Sequence, residues 1–326
     1  MMPEIYEELH AAGLLSDESF AKVSADREKP LFSVHWELKS VLYLGVLLLT
    51  GGLGLLIYEN IDTIGHQFVL MLIALICTGC FAYCFKTKLP FSAGQVKSPN
   101  TAFDYILLLA CTSFLIFVGY LQFEYKVFGL NYGLATLIPM LVLFFTAYYF
   151  DHLGILNIAI ANLAVWMGVS VTPKQLLLNS DFDSETIIFT YLMLGMLLVA
   201  AAYATQYFNF KKHFKFSYLH YGVHVGFIIM LAGYFHYYQS AISFAWMLGL
   251  FCFAFFIYQD AFKHRSFYFI LLTVLYSYIA VSSLVVRVLI QTADLGAMSL
   301  LSLYFIGSGI GLIFLLINLN RKIKTA

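Results

Sequence analysis

The chain carries ten uninterrupted apolar runs, each close to 20 residues long, and this repetition limits what it can fold into more than any other feature. The runs are 40–58, 67–85, 104–122, 131–150, 153–171, 187–206, 218–237, 242–259, 267–287 and 298–318. An α-helix needs about 20 apolar residues to cross the hydrocarbon core of a bilayer. Barrel strands are about half that length and alternate in polarity, so these continuous runs exclude a β-barrel. Only 11% of the 326 residues are charged, against about a quarter in a soluble domain, so the surface must face lipid. The expected fold is an all-α, polytopic bundle of about ten transmembrane helices.

Charge orients the bundle. Starting with the N-terminus inside, 15 of the 18 Lys and Arg fall on cytoplasmic segments. They cluster at residues 22–39, 86–97, 211–215, 263–265 and 321–324, and only Lys126, Lys174 and Arg287 fall outside. Positive residues stay on the cytoplasmic side of short loops, so the expected topology is N-in and C-in. Eighteen acidic residues balance the eighteen basic ones, which excludes a global basic field for nucleic acid. The first run follows 39 polar residues, so a spanning signal-anchor is expected rather than a cleaved signal peptide.

The expected organisation is a cytoplasmic head at 1–38, a ten-span domain at 39–320 and a basic tail at 321–326. In the head, residues 3–12 read as a short helix ended by Gly13, and Ser16 as the cap of a second. Leu9, Leu14, Leu15, Phe20 and Val23 supply the apolar contacts of a helical hairpin too small for its own core. Eight acidic residues make this head a candidate docking site for a protein partner.

The segment Leu9-His-Ala-Ala-Gly-Leu-Leu-Ser-Asp-Glu-Ser-Phe, then Trp36 and a Gly-rich first span ending in Tyr58-Glu-Asn-Ile-Asp, carries a resemblance. Over about residues 5–85 the chain resembles a bacterial family of predicted membrane proteins catalogued as domain of unknown function 2157. The likeness lies in the N-terminal helix pair and in a first span that closes on a short Asn/Asp-containing outer turn. It implies a bacterial inner-membrane protein and supplies no catalytic residue.

Intramembrane polar residues are the default functional candidates. No Lys, Asp or Glu lies near the middle of a span; Asp104, Asp151 and Asp260 lie at cytoplasmic ends. That argues against an ion pump built on a carboxylate relay and against a voltage sensor. His220 and His224 stand four apart on one face of span seven. A metal or haem could use such a pair, but no carboxylate accompanies it and no zinc-protease spacing occurs, so no cofactor and no metal site is expected. Interfacial histidines in an aromatic belt account for the same residues. Cys77, Cys80 and Cys84 form a stripe on span two that reads as small packing residues, since lipid disfavours thiolates. Gly307 and Gly311 make a small-xxx-small pair expected to pack within the bundle.

Asn157, Asn162 and Trp166 in span five need partners across the bundle, and Pro139 frees a carbonyl in span four. Tyr276, Ser277 and Ser282 of span nine are the candidates to face them, with His220 and His224 alongside. These eight side chains outline an uncharged polar cavity for a small or amphipathic solute. Nucleotide-binding and hydrolase motifs are absent and the longest loops are about 15 residues, so no soluble catalytic domain and no catalytic residues are expected. Two functions follow as expectations: transport or lipid and small-solute handling through that cavity, or a non-catalytic membrane partner or sensor acting through its acidic head.

Overall fold

The computed structural model describes residues 10, 12–17, 19, 35–129, 132–171, 185–290 and 295–325. Among them are ten α-helices long and apolar enough to cross a membrane, and no strand. They are α1 (His35–Ile64), α2 (His66–Thr87), α3 (Thr101–Tyr125), α4 (Tyr132–Phe150) and α5 (Leu153–Val171). There follow α6 (Glu185–Tyr207), α7 (Lys215–His236), α8 (Ile242–Lys263), α9 (Phe267–Ile290) and α10 (Leu295–Thr325). The chain divides into two compact units, Met1–Ile64 and Gly65–Ala326.

Most of the head, and with it the hairpin packing of Leu9, Phe20 and Val23, lies outside the described residues. Within the head, Gly13 takes a left-handed backbone (φ 71°) and Ser16 Oγ accepts from Ser19 N at 3.3 Å. α1 exposes Leu42, Leu44, Leu47 and Leu48 around its circumference, as a helix solvated by acyl chains does.

In the second unit, each helix packs on its neighbours in sequence, as short connections between antiparallel spans dictate. α7 is the centre, touching α5, α6, α8 and α9. Small residues permit this. A Cβ built on Gly195 of α6 would lie 3.1 Å from Gly226 N of α7, and one on Gly222 would lie 2.9 Å from Val199 N. Backbone therefore meets backbone, the geometry expected of small-xxx-small faces in lipid. Leu194, Leu198, Val223, Phe227 and Tyr234 fill the space around these contacts and are fully buried.

Gly307 and Gly311 of α10 differ from the expectation set by their spacing. Among the described residues nothing lies within 4 Å of a Cβ at either position, so the pair makes no close helix contact there. α10 instead leans on α9 through hydroxyls, Tyr278 Oη with Ser308 Oγ at 3.0 Å and Ser282 Oγ with Tyr304 Oη at 3.1 Å. The cysteine stripe does pack: Cys77 and Cys84 are buried, Cys77 Sγ donates to Ala110 O at 3.6 Å, and all five thiols are free.

Three helix ends share one termination. α4 stops with His152 N donating to Ala147 O, α6 with Phe210 N to Thr205 O, and α8 with Ser266 N to Ala261 O. This six-to-one bond needs a left-handed residue just before the donor, usually glycine. Here Asp151, Asn209 and Arg265 take that conformation (φ 60°, 55° and 54°). Asp and Asn tolerate it because their short polar side chains bond locally, and the Asp151 side chain is put to further use.

Candidate functional site

Asp151 marks a buried charge centre at one end of the bundle. Its side chain is 1% exposed, and Lys211, in the turn after α6, is fully buried. Lys211 Nζ lies 3.1 Å from Asp151 Oδ2, and His213 Nε2 lies 2.6 Å from Asp151 Oδ1. Val96 N donates to Asp151 Oδ2 at 2.5 Å. Lys211 also donates from its backbone to Ala93 O (2.8 Å) and from Nζ to Gly94 O (3.1 Å), with the Phe91 ring 5.0 Å away. The α2–α3 connection is thereby strapped to the ends of α4 and α6. An unpaired charge at this depth would be very costly, so the ion pair and its amide and carbonyl partners form one indivisible unit.

Beside it, His152 Nδ1 accepts from Ile155 N at 3.1 Å and caps α5. That bond assigns the ring proton to Nε2, which faces Asp104 Oδ1 at 3.7 Å. Ser98 Oγ donates to the same Asp104 carboxylate. Asn100 Oδ1 caps α3 by accepting from Phe103 N at 2.7 Å.

A second polar set lies inside the membrane-length part of α7 and α9. Tyr268 Oη is 2.5 Å from His220 Nδ1 and 3.3 Å from His224 Nε2, and Tyr276 Oη is 2.8 Å from His224 Nδ1. Four side chains thus form one hydrogen-bonded ladder, with Phe216 stacked on His220 at its lower end. Each ring nitrogen so engaged is occupied by a tyrosine hydroxyl. Among the described residues no group of three His, Cys, Asp or Glu is placed to hold a metal.

The third feature is a groove of about 560 Å³ between α8, α9 and α10. Its walls are apolar, from Ala254, Phe255, Val274 and Leu312, with hydroxyls from Tyr258, Ser277, Tyr278, Tyr304 and Ser308. Among the described residues no charged side chain lines it. Gly311 forms part of the wall and leaves it open.

The eight candidate side chains are therefore distributed. His220, His224 and Tyr276 meet in the ladder. Ser277 lines the groove, and Ser282 fastens α9 to α10 through Tyr304. Asn157 Oδ1 and Asn162 Oδ1 are buried on α5 without a hydrogen-bond partner among the described residues, and Trp166 packs partly buried against the core. Sequence reading did not assemble the Asp151–Lys211–His213 centre. Its signal was present as charge at helix ends, but the pairing is tertiary.

The opposite end of the bundle holds its own polar fastenings. Arg287 donates to Tyr238 O (2.7 Å) and Ser243 Oγ (2.9 Å) and stacks over the Tyr238 ring. His66 Nδ1 pairs with Tyr120 Oη at 2.6 Å. Glu185 accepts a hydrogen bond from the Tyr237 phenol and so pushes its pKa up.

Ten membrane-length helices with a lipid-compatible exterior define the class, an integral membrane protein. Residues 7–156 match the family described as Predicted membrane protein (DUF2157). The match runs from the head into α5 and so includes Asp151 and His152 but not Lys211. No curated protein and no solved structure matches the chain.

Proposed function

We propose that this membrane protein handles a lipid-like or similarly amphipathic uncharged solute in the groove between α8, α9 and α10. The observation that supports this is the groove itself: about 560 Å³, within the size range of small-molecule sites, uncharged, and lined by apolar carbon with a few hydroxyls. Tyr258 and Ser277, outside the two α9–α10 hydroxyl pairs, offer hydrogen bonds where a bilayer otherwise offers none, so they suit a molecule with an acyl chain and a hydroxyl or ester group. In this reading Ser277 touches the solute, and Ser282 positions α10 through Tyr304. His220, His224 and Tyr276 brace α9 from behind, and Asn157, Asn162 and Trp166 form a separate polar region on α5.

The setting we propose is a bacterial inner membrane with both termini cytoplasmic. The balance of Lys and Arg between loops supports it. So does the meeting of the α2–α3, α4–α5 and α6–α7 connections at Asp151, since alternate loops of a threaded bundle belong on one side.

The test is photo-crosslinking of the purified protein with a diazirine fatty acid, followed by peptide mapping. Labelling should concentrate on α9 and α10 and fall several-fold in Gly311→Phe, which fills the groove from a position where a Cβ meets nothing. Labelling spread evenly over the outer faces of α2 to α8, unchanged by that substitution, would overturn the reading.

A further inference from the structure

A second cavity, of about 290 Å³, opens where the α6–α7 turn meets the α8–α9 turn. Its polar lining is Lys212, His213, Lys215, Asp260, His264 and Ser266, and its floor is apolar, including Phe216 and Phe269. The lining holds two lysines against one carboxylate, a formal surplus of one positive charge with both histidines neutral. The carboxylate is engaged: Asp260 Oδ2 lies 3.7 Å from Lys215 Nζ and Asp260 Oδ1 lies 3.3 Å from His264 Nδ1. His213 is engaged by Asp151. Lys212 is exposed and has no carboxylate partner among the described residues.

Backbone adds donors of the same sign. The first bond of α9 runs from Ile270 N to Ser266 O at 3.3 Å, so the amides of residues 267–269 precede the ladder and are directed out of the helix start. Anions are favoured at such an end, and Ser266 and Phe269 place it in the cavity wall. Two lysines, a hydroxyl and an open helix start, set on an aromatic floor at a membrane face, match the chemistry of phosphate carrying an apolar group. Basic pockets between spans are the usual receptors for such headgroups.

We propose that this cavity binds a phosphate-bearing anion, with Lys212 and Lys215 supplying charge and Ser266 with the start of α9 supplying hydrogen bonds. The site is distinct from the α8–α10 groove and does not depend on what fills that groove. A phospholipid headgroup and a soluble phosphate compound share this chemistry.

The experiment is native mass spectrometry of the full chain in detergent, titrated with phosphatidylglycerol or phosphatidylcholine, with and without inorganic phosphate. Phosphatidylglycerol should be retained in preference, and Lys212→Glu should weaken that retention at least about tenfold. Lys212 is exposed, so this variant should melt like the parent chain; Lys212→Gln gives the same direction with a smaller loss. Retention displaced by inorganic phosphate assigns the site to a soluble phosphate compound, and retention indifferent to it assigns a lipid headgroup. Equal retention of the two lipids with no phosphate effect overturns the proposal, as does retention unchanged in Lys212→Glu.

Discussion

The α6–α7 pairing and the α9–α10 seam both join apolar helices long enough to cross a membrane, yet they are held by opposite means. At the first, glycine backbone touches the neighbouring helix directly, and the buried Asp151–Lys211 pair closes one end. At the second, glycines face open space and two hydroxyl pairs bridge a gap that remains a groove. In lipid the apolar surface of a helix gains little by leaving acyl chains for another helix, so contact distance and polar pairing decide which helices hold together. The core spends its small residues on contact; α10 keeps its own unused.

Five substitutions test that contrast. The largest effect is expected from Asp151→Ala, which leaves Lys211 buried without its carboxylate and should lower stability by about 3–5 kcal/mol. Reversible unfolding in mixed micelles measures it, and a loss under about 1 kcal/mol would mean that water reaches Lys211. Gly222→Leu comes next, at about 1–3 kcal/mol, because the added carbon meets Val199 N as well as the Val199 side chain, and the backbone cannot swing aside. Its counterpart Gly307→Leu should change the melting temperature hardly at all; a matching loss would show that the two helices are packed alike.

Tyr276→Phe should cost about 1 kcal/mol by stripping His224 Nδ1 of its partner, and histidine proton resonances would report the freed ring. Ser282→Ala is the smaller of the two polar deletions, about 0.6 kcal/mol in unfolding, with increased crosslinking between probes on α10 and lipid. If Ser282→Ala destabilised more than Tyr276→Phe, the seam rather than the ladder would be the principal polar fastening of α9.

The ten spans were legible because span length is a property of the sequence alone, and each run falls on one helix, closely for α2 to α9 while α1 and α10 extend well past theirs. Packing was less so. Gly222 and Gly226 have the same spacing as Gly307 and Gly311, but only the first pair meets a neighbour, Val199 and Phe253. Spacing reveals a thin face; it does not say which helix comes to use it. The four-residue separation of His220 and His224 was readable, whereas their link through Tyr268 required the register of α7 against α9. Asp151 and Lys211 stood out only as end charges, and the absence of glycine after α4, α6 and α8 hid three left-handed terminations. The unpartnered Asn157 and Asn162 oxygens show the same limit, since sequence names the demand for a partner but not whether it is met.

The strap at Lys211 also sets an order of assembly. Gly94 O and Lys211 Nζ are 117 positions apart, so the α2–α3 loop cannot close until the ribosome has delivered the end of α6. At cellular rates of synthesis that interval is on the order of ten seconds. For about the second half of it the newly made Asp151 carboxylate stands without its cation, at one end of the bundle where water is its nearest substitute. The segment that matches the family ends inside the same interval. A nascent chain halted there would be inserted but not latched, the state in which a membrane protein is most exposed to quality-control proteases.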